Sequence, residues 1–241
     1  MPRKRELHDH YFKKAKAEGY AARSAYKLIQ INDRRHILGP RMSVLDLGCA
    51  PGSWMQVAAQ KVGANGRVVG LDLAETTADL PEWAVPLVGD VFAYPPVDLL
   101  AAAGLAPTQG FDVVLSDMAP NTTGSGDHFK SVELCRRVLA LLPTLLRGGG
   151  SLAMKVFEGE EYAALVKETT TLFGFCRGYR PEATRDLSPE MFIIGDLYRG
   201  PRSAPGVAPP DARAGLAPSA PKPRPGWGDG PGRKGGGGGG R

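Results

Sequence analysis

Several features that often decide a protein's class are scarce or missing in this sequence. Only three cysteines occur among 241 residues, and Cys49, Cys135 and Cys176 are spaced for neither a zinc site nor a disulfide framework. We therefore expect a reducing, cytoplasmic environment and no bound metal. The longest apolar run, residues 138–146, contains Pro143 and is too short to cross a bilayer. No apolar segment follows the basic start, as a secretory signal requires, so we expect no membrane association.

Charge is distributed unevenly along the chain. The net charge is +5, but residues 1–41 carry +7 and residues 201–241 carry +5, which leaves −7 for the segment between them. An acidic centre with basic ends is typical of a protein that binds a polyanion, although basic termini that only meet solvent are the alternative. The candidate phosphate-binding residues of the first segment are Arg3, Lys4, Arg5, Lys13, Lys14, Lys16 and Arg23.

Composition divides the chain into three parts. Residues 1–18 are polar, basic and weakly periodic, which predicts a mobile N-terminal extension. Residues 19–200 alternate apolar runs with helical patterns, which predicts one domain. Residues 201–241 hold 9 prolines and 12 glycines and cannot bury enough apolar surface to offset the entropy of ordering. We predict a disordered tail, which either meets phosphates or only adds solubility.

The central part predicts a doubly wound sheet. The predicted strands are residues 43–48, 67–72, 85–88, 111–116, 152–157, 175–179 and 191–198. The predicted helices are residues 19–36, 53–62, 99–103, 128–146 and 159–173. Strands that alternate with helices predict an α/β, Rossmann-like fold with a mostly parallel seven-stranded sheet and helices on both faces. We expect the last two strands to form a hairpin at the sheet edge.

The first predicted strand runs into a glycine turn, SVLDLGCAPGSW, at residues 43–54. Glycine lets the backbone approach a ligand closely, because no Cβ intervenes. The D-x-G-x-x-x-G spacing differs from the G-x-G-x-x-G of dinucleotide-binding turns, which argues against an NAD-dependent oxidoreductase. The motif resembles the first motif of the S-adenosylmethionine (SAM)-dependent methyltransferases. That resemblance implies cofactor contacts at Gly48, Gly52 and Trp54.

Acidic residues stand at the ends of four successive strands, where a doubly wound sheet binds its ligand. They are Asp46, Asp72, Asp90 and Asp117. Asp72 is placed to hydrogen-bond a ribose diol and Asp90 an adenine amino group, although each acid alone is also explained as a helix cap or turn former. Lys155 lies inside an apolar strand, where its charge needs a partner, and Asp117 is within reach. A snorkelling side chain is the alternative.

Five stretches in order produce a more specific resemblance: GYAARSAYKL, DLGCAPGSW, SDMAPNTTG, MKVFEGE and SPEMFIIG. Over residues 11–198 the chain resembles the FtsJ/RlmE family of ribosomal RNA 2′-O-ribose methyltransferases. The resemblance implies SAM as cofactor, a uridine of large-subunit rRNA as substrate, and a monomeric cytoplasmic enzyme. It also implies a catalytic tetrad at Lys27, Asp117, Lys155 and Glu190. Lys155 is then the general base, or it orients the ribose hydroxyl without taking its proton.

The chain departs from the family's pattern at two places. Cys49 and Ser53 replace a more usual alanine and glycine, which the turn should tolerate. Leu187 and Pro189 stand where basic residues are common, which weakens the expected contact with RNA near Glu190.

Three other functions stay open. A base N-methyltransferase usually has a Pro-Pro-aromatic sequence after the fourth strand, and Met118-Ala119-Pro120 lacks the aromatic residue. A 2′-O-methyltransferase of tRNA would share every motif. A non-catalytic RNA-binding module for ribosome assembly would have no need of a buried lysine.

Overall fold

A computed structural model describes residues 3–120, 126–185 and 188–200, with side chains from His10 onward. The helices are α1 (Arg3–Ala17), α2 (Ala25–Arg35), α3 (Ser53–Val62), α4 (Pro96–Ala102), α5 (Asp127–Leu145) and α6 (Tyr162–Leu172). The strands are β1 (Ser43–Leu47), β2 (Arg67–Asp72), β3 (Ala84–Val88), β4 (Phe111–Ser116), β5 (Leu146–Phe157), β6 (Phe173–Tyr179) and β7 (Glu190–Tyr198). The predicted tail, residues 201–241, lies outside the described residues.

The strands of the described residues form one sheet in the order β3-β2-β1-β4-β5-β7-β6. Strands β1 to β5 are parallel, whereas β7 runs antiparallel between β5 and β6. The predicted α/β class, the seven strands and the antiparallel β6–β7 hairpin are confirmed. The hairpin attaches to the sheet through β7, so the last strand of the domain lies beside the strand that carries Lys155.

The central strands are buried on both faces of the sheet. In β1, Leu45 and Leu47 join the apolar cluster that α4, α5 and α6 cover, while Val44 joins the cluster under α2 and α3. Successive side chains of a strand point to opposite faces, so one short run contributes to both cores. A parallel sheet covered on both faces needs such continuous apolar strands, which explains why apolar runs predicted them correctly.

The N-terminal segment differs from the prediction of a mobile extension. Most of it forms helix α1, whose Tyr11 and Ala15 pack against Tyr26 of α2. The Gln30 side-chain amide also donates a hydrogen bond of 2.9 Å to the Tyr11 hydroxyl. Gly19, at φ 77°, follows the end of α1 in the left-handed conformation that glycine tolerates. Helix α2 therefore begins at Ala25 and not near residue 19 as predicted.

Strand β5 begins at Leu146, six residues before the predicted start. Leu146 pairs with Phe111, and Ser151 pairs with Val113 after a register irregularity. The glycines at 148–150 lie where the register of β5 with β4 shifts. They carry no apolar side chains, so the apolar pattern did not reveal this part of the strand. The other element boundaries lie within three residues of those predicted.

Candidate active site

A cleft of about 680 Å³ opens at the carboxyl ends of β1 to β4. Four of the predicted site residues line it: Gly48, Asp72, Asp90 and Asp117. The first turns of α5 close one side through Lys130 and Glu133. Parallel strands end at a common edge, so acids at their ends converge, as expected for a ligand site of this fold.

Asp72 and Asp90 form turns and also line the cleft. Asp72 accepts hydrogen bonds from the backbone N–H groups of Ala50, at 2.9 Å, and Ala74, at 3.0 Å. Asp90 accepts one from Phe92 N–H at 2.9 Å. A carboxylate offers about four lone-pair sites, so both acids keep acceptor capacity for a ligand. The turn-forming and ligand-binding interpretations are therefore compatible.

The glycines of the turn are required by conformation and by packing. Gly48 and Gly52 have φ values of 79° and 112°, in the left-handed region. A Cβ on Gly48 would lie 2.9 Å from the backbone of Met118, and a Cβ on Gly52 would lie 2.5 Å from the Ala78 side chain. Gly48 thus allows the turn to lie directly against the end of β4. Gly52 packs on the segment after β2.

The indole of Trp54 lies in the core behind the turn. Its Nε1–H donates to the Ser24 carbonyl at 2.9 Å, and its ring lies 5.7 Å from that of Phe192. Among the described residues, neither Trp54 nor Gly52 lines the cleft. The backbone N–H of Trp54 belongs to the first turn of α3, where a helix leaves N–H groups without intrahelical partners. In this geometry Trp54 can contact a ligand through its backbone N–H and not through its indole ring.

Asp46 differs from the other strand-end acids in its surroundings, which the sequence pattern does not reveal. Its side chain is fully buried, and neither carboxyl oxygen has a hydrogen-bond partner among the described residues. Burial, with smaller contributions from the charges of Asp117 and Asp72, raises the pKa of Asp46 to about 8. A buried carboxyl group under a glycine turn is suited to a cationic ligand. SAM carries a sulfonium and an ammonium group, so the residues present fit the cofactor that the resemblance implies.

Two lysines form buried ion pairs beside this cleft. Lys155 Nζ lies 2.9 Å from Asp117 Oδ1, and Lys27 Nζ lies 2.8 Å from Glu190 Oε2. Lys155 also donates a hydrogen bond to the Asp117 backbone carbonyl, so the same residue holds the ammonium group at two oxygens. Each lysine thus has the partner that a buried charge requires.

The register of β5 and β7 brings the two pairs together. Phe157 lies opposite Glu190, and Lys155 lies opposite Phe192. Burial alone would raise the pKa of Glu190, but the charge and hydrogen bond of Lys27, with the charge of Lys155, outweigh it and lower that pKa. Glu190 is therefore ionised at neutral pH and is influenced by both lysines. The structure thus places the four residues of the implied tetrad in one cluster.

Arg180 holds the segment that leads into Glu190. Its guanidinium donates hydrogen bonds to the backbone carbonyls of Ser188 at 2.6 Å, Arg185 at 3.0 Å and Glu190 at 3.3 Å. Nothing in the local sequence distinguishes Arg180 from an exposed loop arginine. Its contacts depend on the hairpin that brings the end of β6 beside the start of β7.

The predicted phosphate-binding residues occupy two places. Lys13, Lys14 and Lys16 are exposed on α1, where Lys14 lies 3.8 Å from Glu18. Arg23 is partly buried, and its pKa is lowered by burial and by the charge of Arg185, against the opposing effect of Glu190. Arg23 is therefore close to the tetrad. The side chains of Arg3, Lys4 and Arg5 lie outside those described.

Other candidate sites carry less chemistry. A larger depression of about 1200 Å³ contains Arg41, Arg67 and Arg147, but its described lining includes none of the predicted site residues. Within the described ranges, no group of three or more His, Cys, Asp or Glu side chains is arranged to hold a metal ion. No helix of those ranges has the length and apolar character needed to span a membrane.

Several known proteins are similar to this chain over most of its length. The family model described as FtsJ-like methyltransferase matches residues 20–198. The chain is 44% identical over 194 residues to the ribosomal RNA large subunit methyltransferase E of Desulfatibacillum aliphaticivorans, covering 80% of this chain and 91% of that protein. It is 45% identical over 195 residues to the protein of the same name from Methanothrix thermoacetophila, covering 79% and 73%.

A solved structure shares the fold. A ribosomal RNA methyltransferase from Plasmodium falciparum superposes with a TM-score of 0.63, covering 75% of this chain and 100% of that chain at 23% identity. At that identity the likeness concerns the fold alone.

Proposed function

The chain belongs to the FtsJ-like methyltransferase family, and on that premise we propose that it transfers a methyl group from SAM to a ribose 2′-hydroxyl of large-subunit ribosomal RNA. The observation that carries the proposal is the pair of buried lysine–carboxylate contacts beside the cleft. The names of the relatives support the substrate class. The family resemblance supports the 2′-hydroxyl, a uridine as the acceptor nucleotide, and a monomeric, cytoplasmic enzyme.

The cofactor supplies a methyl group that is already strongly electrophilic. In our proposal Asp72 hydrogen-bonds its ribose diol, Asp90 its adenine amino group, and Gly48 and Asp117 contact its amino-acid end. The buried carboxyl group of Asp46 provides a negative counter-charge once a cation is near. None of these roles needs a metal ion.

The tetrad then acts on the ribose hydroxyl. In its neutral form, Lys155 would accept the 2′-hydroxyl proton on Nζ as the ribose oxygen takes the methyl group and the methyl–sulfur bond breaks, with the neutral thioether leaving. Asp117 holds the Lys155 side chain, and Lys27 with Glu190 fixes the neighbouring wall of the site. Alignment of two reacting groups alone is worth up to about 7–11 kcal/mol. If Lys155 stays protonated, it orients the hydroxyl lone pair and the proton leaves to solvent.

RNA binding falls to the basic residues. Lys13, Lys14 and Lys16 on α1 are exposed and suited to phosphate contacts, which orient a nucleic acid without reading its sequence. Arg23 lies close enough to the tetrad to contact the RNA backbone near the target nucleotide. Such contacts predict binding that weakens as salt concentration rises.

The test is methyl transfer from labelled SAM to undermethylated large ribosomal subunits, with tRNA as the competing substrate. We expect label in the large-subunit RNA. The product should resist alkaline cleavage at one linkage, because a methylated 2′-oxygen cannot attack the adjacent phosphate. If the linkage that follows the labelled nucleotide is still cleaved by alkali, the methyl group is on a base and not on the 2′-oxygen. Label only in tRNA would favour the tRNA alternative, and RNA binding without transfer would favour the non-catalytic module.

A further inference from the structure

The beginning of α5 is fixed to the end of the strand that carries Lys155. Ser131 Oγ accepts a hydrogen bond from Phe157 N–H at 2.9 Å, and Cys135 Sγ donates to the Lys155 carbonyl at 3.0 Å. Lys130 and Glu133, on the same turns, line the cleft. The beginning of α5 therefore contacts both the wall of the cleft and the end of β5.

An aromatic pair occupies this turn. The rings of His128 and Phe129 lie 4.0 Å apart between centroids, with an interplanar angle of 40°. His128 lies over Gly159, just after β5, where a Cβ would come within 2.7 Å of the imidazole Cδ2. Phe129 is 45% exposed. The pair is thus held against the β5 end by His128 while Phe129 remains open to solvent.

The exposed charges next to this pair are Lys130 and the two carboxylates of Glu158 and Glu160, which together do not form a phosphate-binding patch. Glu158 and Glu160 are exposed on the segment that carries Gly159, and carboxylates repel a phosphate backbone. A nucleobase is uncharged, and its face stacks on aromatic side chains. An exposed phenylalanine beside acidic residues therefore suits a base that has left its own stack.

We propose that Phe129, supported by His128, is a stacking surface for a nucleobase of the RNA substrate next to the methylated nucleotide. The proposal rests on the proposed function, because it assumes an RNA substrate at the tetrad. Ser131 and Cys135 tie the beginning of α5 to Phe157 and to the backbone of Lys155, so a base held on Phe129 would bring the neighbouring ribose to the end of β5 that carries Lys155. The surface selects unstacked RNA and not a particular base.

The test compares a short oligouridylate with an abasic oligoribonucleotide of the same length. The Phe129→Leu variant keeps apolar volume but loses the ring face. We expect about a fivefold to hundredfold weaker affinity for the oligouridylate, the range of one lost stacking contact. Affinity for the abasic strand and for SAM should not change. Phe129→Trp should restore binding, and its added fluorescence should be quenched by the oligouridylate alone.

Phe12→Leu is the matched control, because Phe12 is 62% exposed on α1. It should leave the preference for the base-bearing strand intact. Equal losses for both strands in Phe129→Leu, or no loss at all, would overturn the proposal. So would a loss seen only with intact subunits, which would indicate a protein partner. These binding assays need no methyl transfer, so an inactive wild type that still prefers bases would refute the proposed function and not this inference.

Discussion

Two ion pairs join helix α2 to strand β7, and the two differ in how far each is closed off from solvent. Arg35 pairs with Asp196, and Lys27 pairs with Glu190. The paired side chains are 6% and 2% exposed in the first contact, and 6% and 17% exposed in the second. The same two elements thus form one closed pair and one pair that is open on its acidic side.

The closed pair has its oxygens occupied. Two guanidinium nitrogens of Arg35 donate to Asp196 Oδ2, and Ser151 Oγ donates to Oδ1 at 2.8 Å. Phe175 covers the guanidinium at 4.0 Å. In the open pair, the charge of Lys155 also lowers the pKa of Glu190, so Glu190 interacts with the lysines of both pairs. Burial alone therefore does not separate a structural ion pair from a candidate catalytic one. What separates them is whether the carboxylate oxygens are already hydrogen-bonded and whether the acid is accessible to solvent.

The largest effect on the rate of methyl transfer is expected on removing Lys155, whose charge acts on Glu190 of the open pair. Lys155→Ala should lower single-turnover methyl transfer by about 10²–10⁴-fold, the usual loss for a general base. The protein should fold and bind SAM, because the proposed cofactor contacts lie on other strands. Single-turnover rates against pH, for variant and wild type side by side, check this. A variant that keeps more than about a tenth of the wild-type rate would end the proposed role.

Breaking the closed pair should cost stability. Arg35→Met leaves Asp196 charged and buried, which typically destabilises by about 3–5 kcal/mol. Lys27→Met should cost less, because Glu190 retains access to water. Urea unfolding of both variants measures the difference. Equal losses of unfolding free energy in the two variants would contradict the division into a closed and an open pair.

Asp46 extends the comparison to a buried acid whose oxygens have no hydrogen-bond partner in the part of the chain that the structure describes. Its pKa is raised to about 8, so the folded state binds more protons than the unfolded state between about pH 4 and 8. Stability should therefore fall as pH rises through this window, by up to about 1.4 kcal/mol per pH unit from this group. Asp46→Asn should remove that slope. Urea unfolding at several pH values without cofactor tests it, and parallel curves for the two proteins would refute the assignment.

The smallest effect should come from Arg180. Arg180→Lys loses guanidinium hydrogen bonds to the backbone carbonyls of the segment that ends at Glu190. Each such bond is worth about 1 kcal/mol. We expect methyl transfer to fall about fivefold to tenfold with SAM affinity unchanged. The pH profile of the rate should also shift, since the Lys27–Glu190 pair loses its fixed position. A variant with reduced stability but a normal profile would show a structural role only.

Local patterns were sufficient for the elements but not for every boundary. Apolar runs located all seven strands, because a sheet buried on both faces requires them. The patterns missed α1, whose contacts with Tyr26 come from scattered residues, and they started α2 too early. They also started β5 only after its glycines, although the ladder continues irregularly through them to Leu146.

Sequence patterns were enough to predict the succession of strands and helices along the chain, the glycine turn, and the convergence of Asp72, Asp90 and Asp117 at one edge. Each follows from local periodicity, from backbone conformations that only glycine adopts readily, and from the common edge of parallel strands. Only the fold sets the antiparallel position of β7 beside β5, the contact of Lys27 with Glu190 across 163 positions, and the burial of Asp46 without a hydrogen-bond partner among the described residues. Pairing and burial at that range depend on which surfaces the whole chain brings together, and no local window of sequence contains that information.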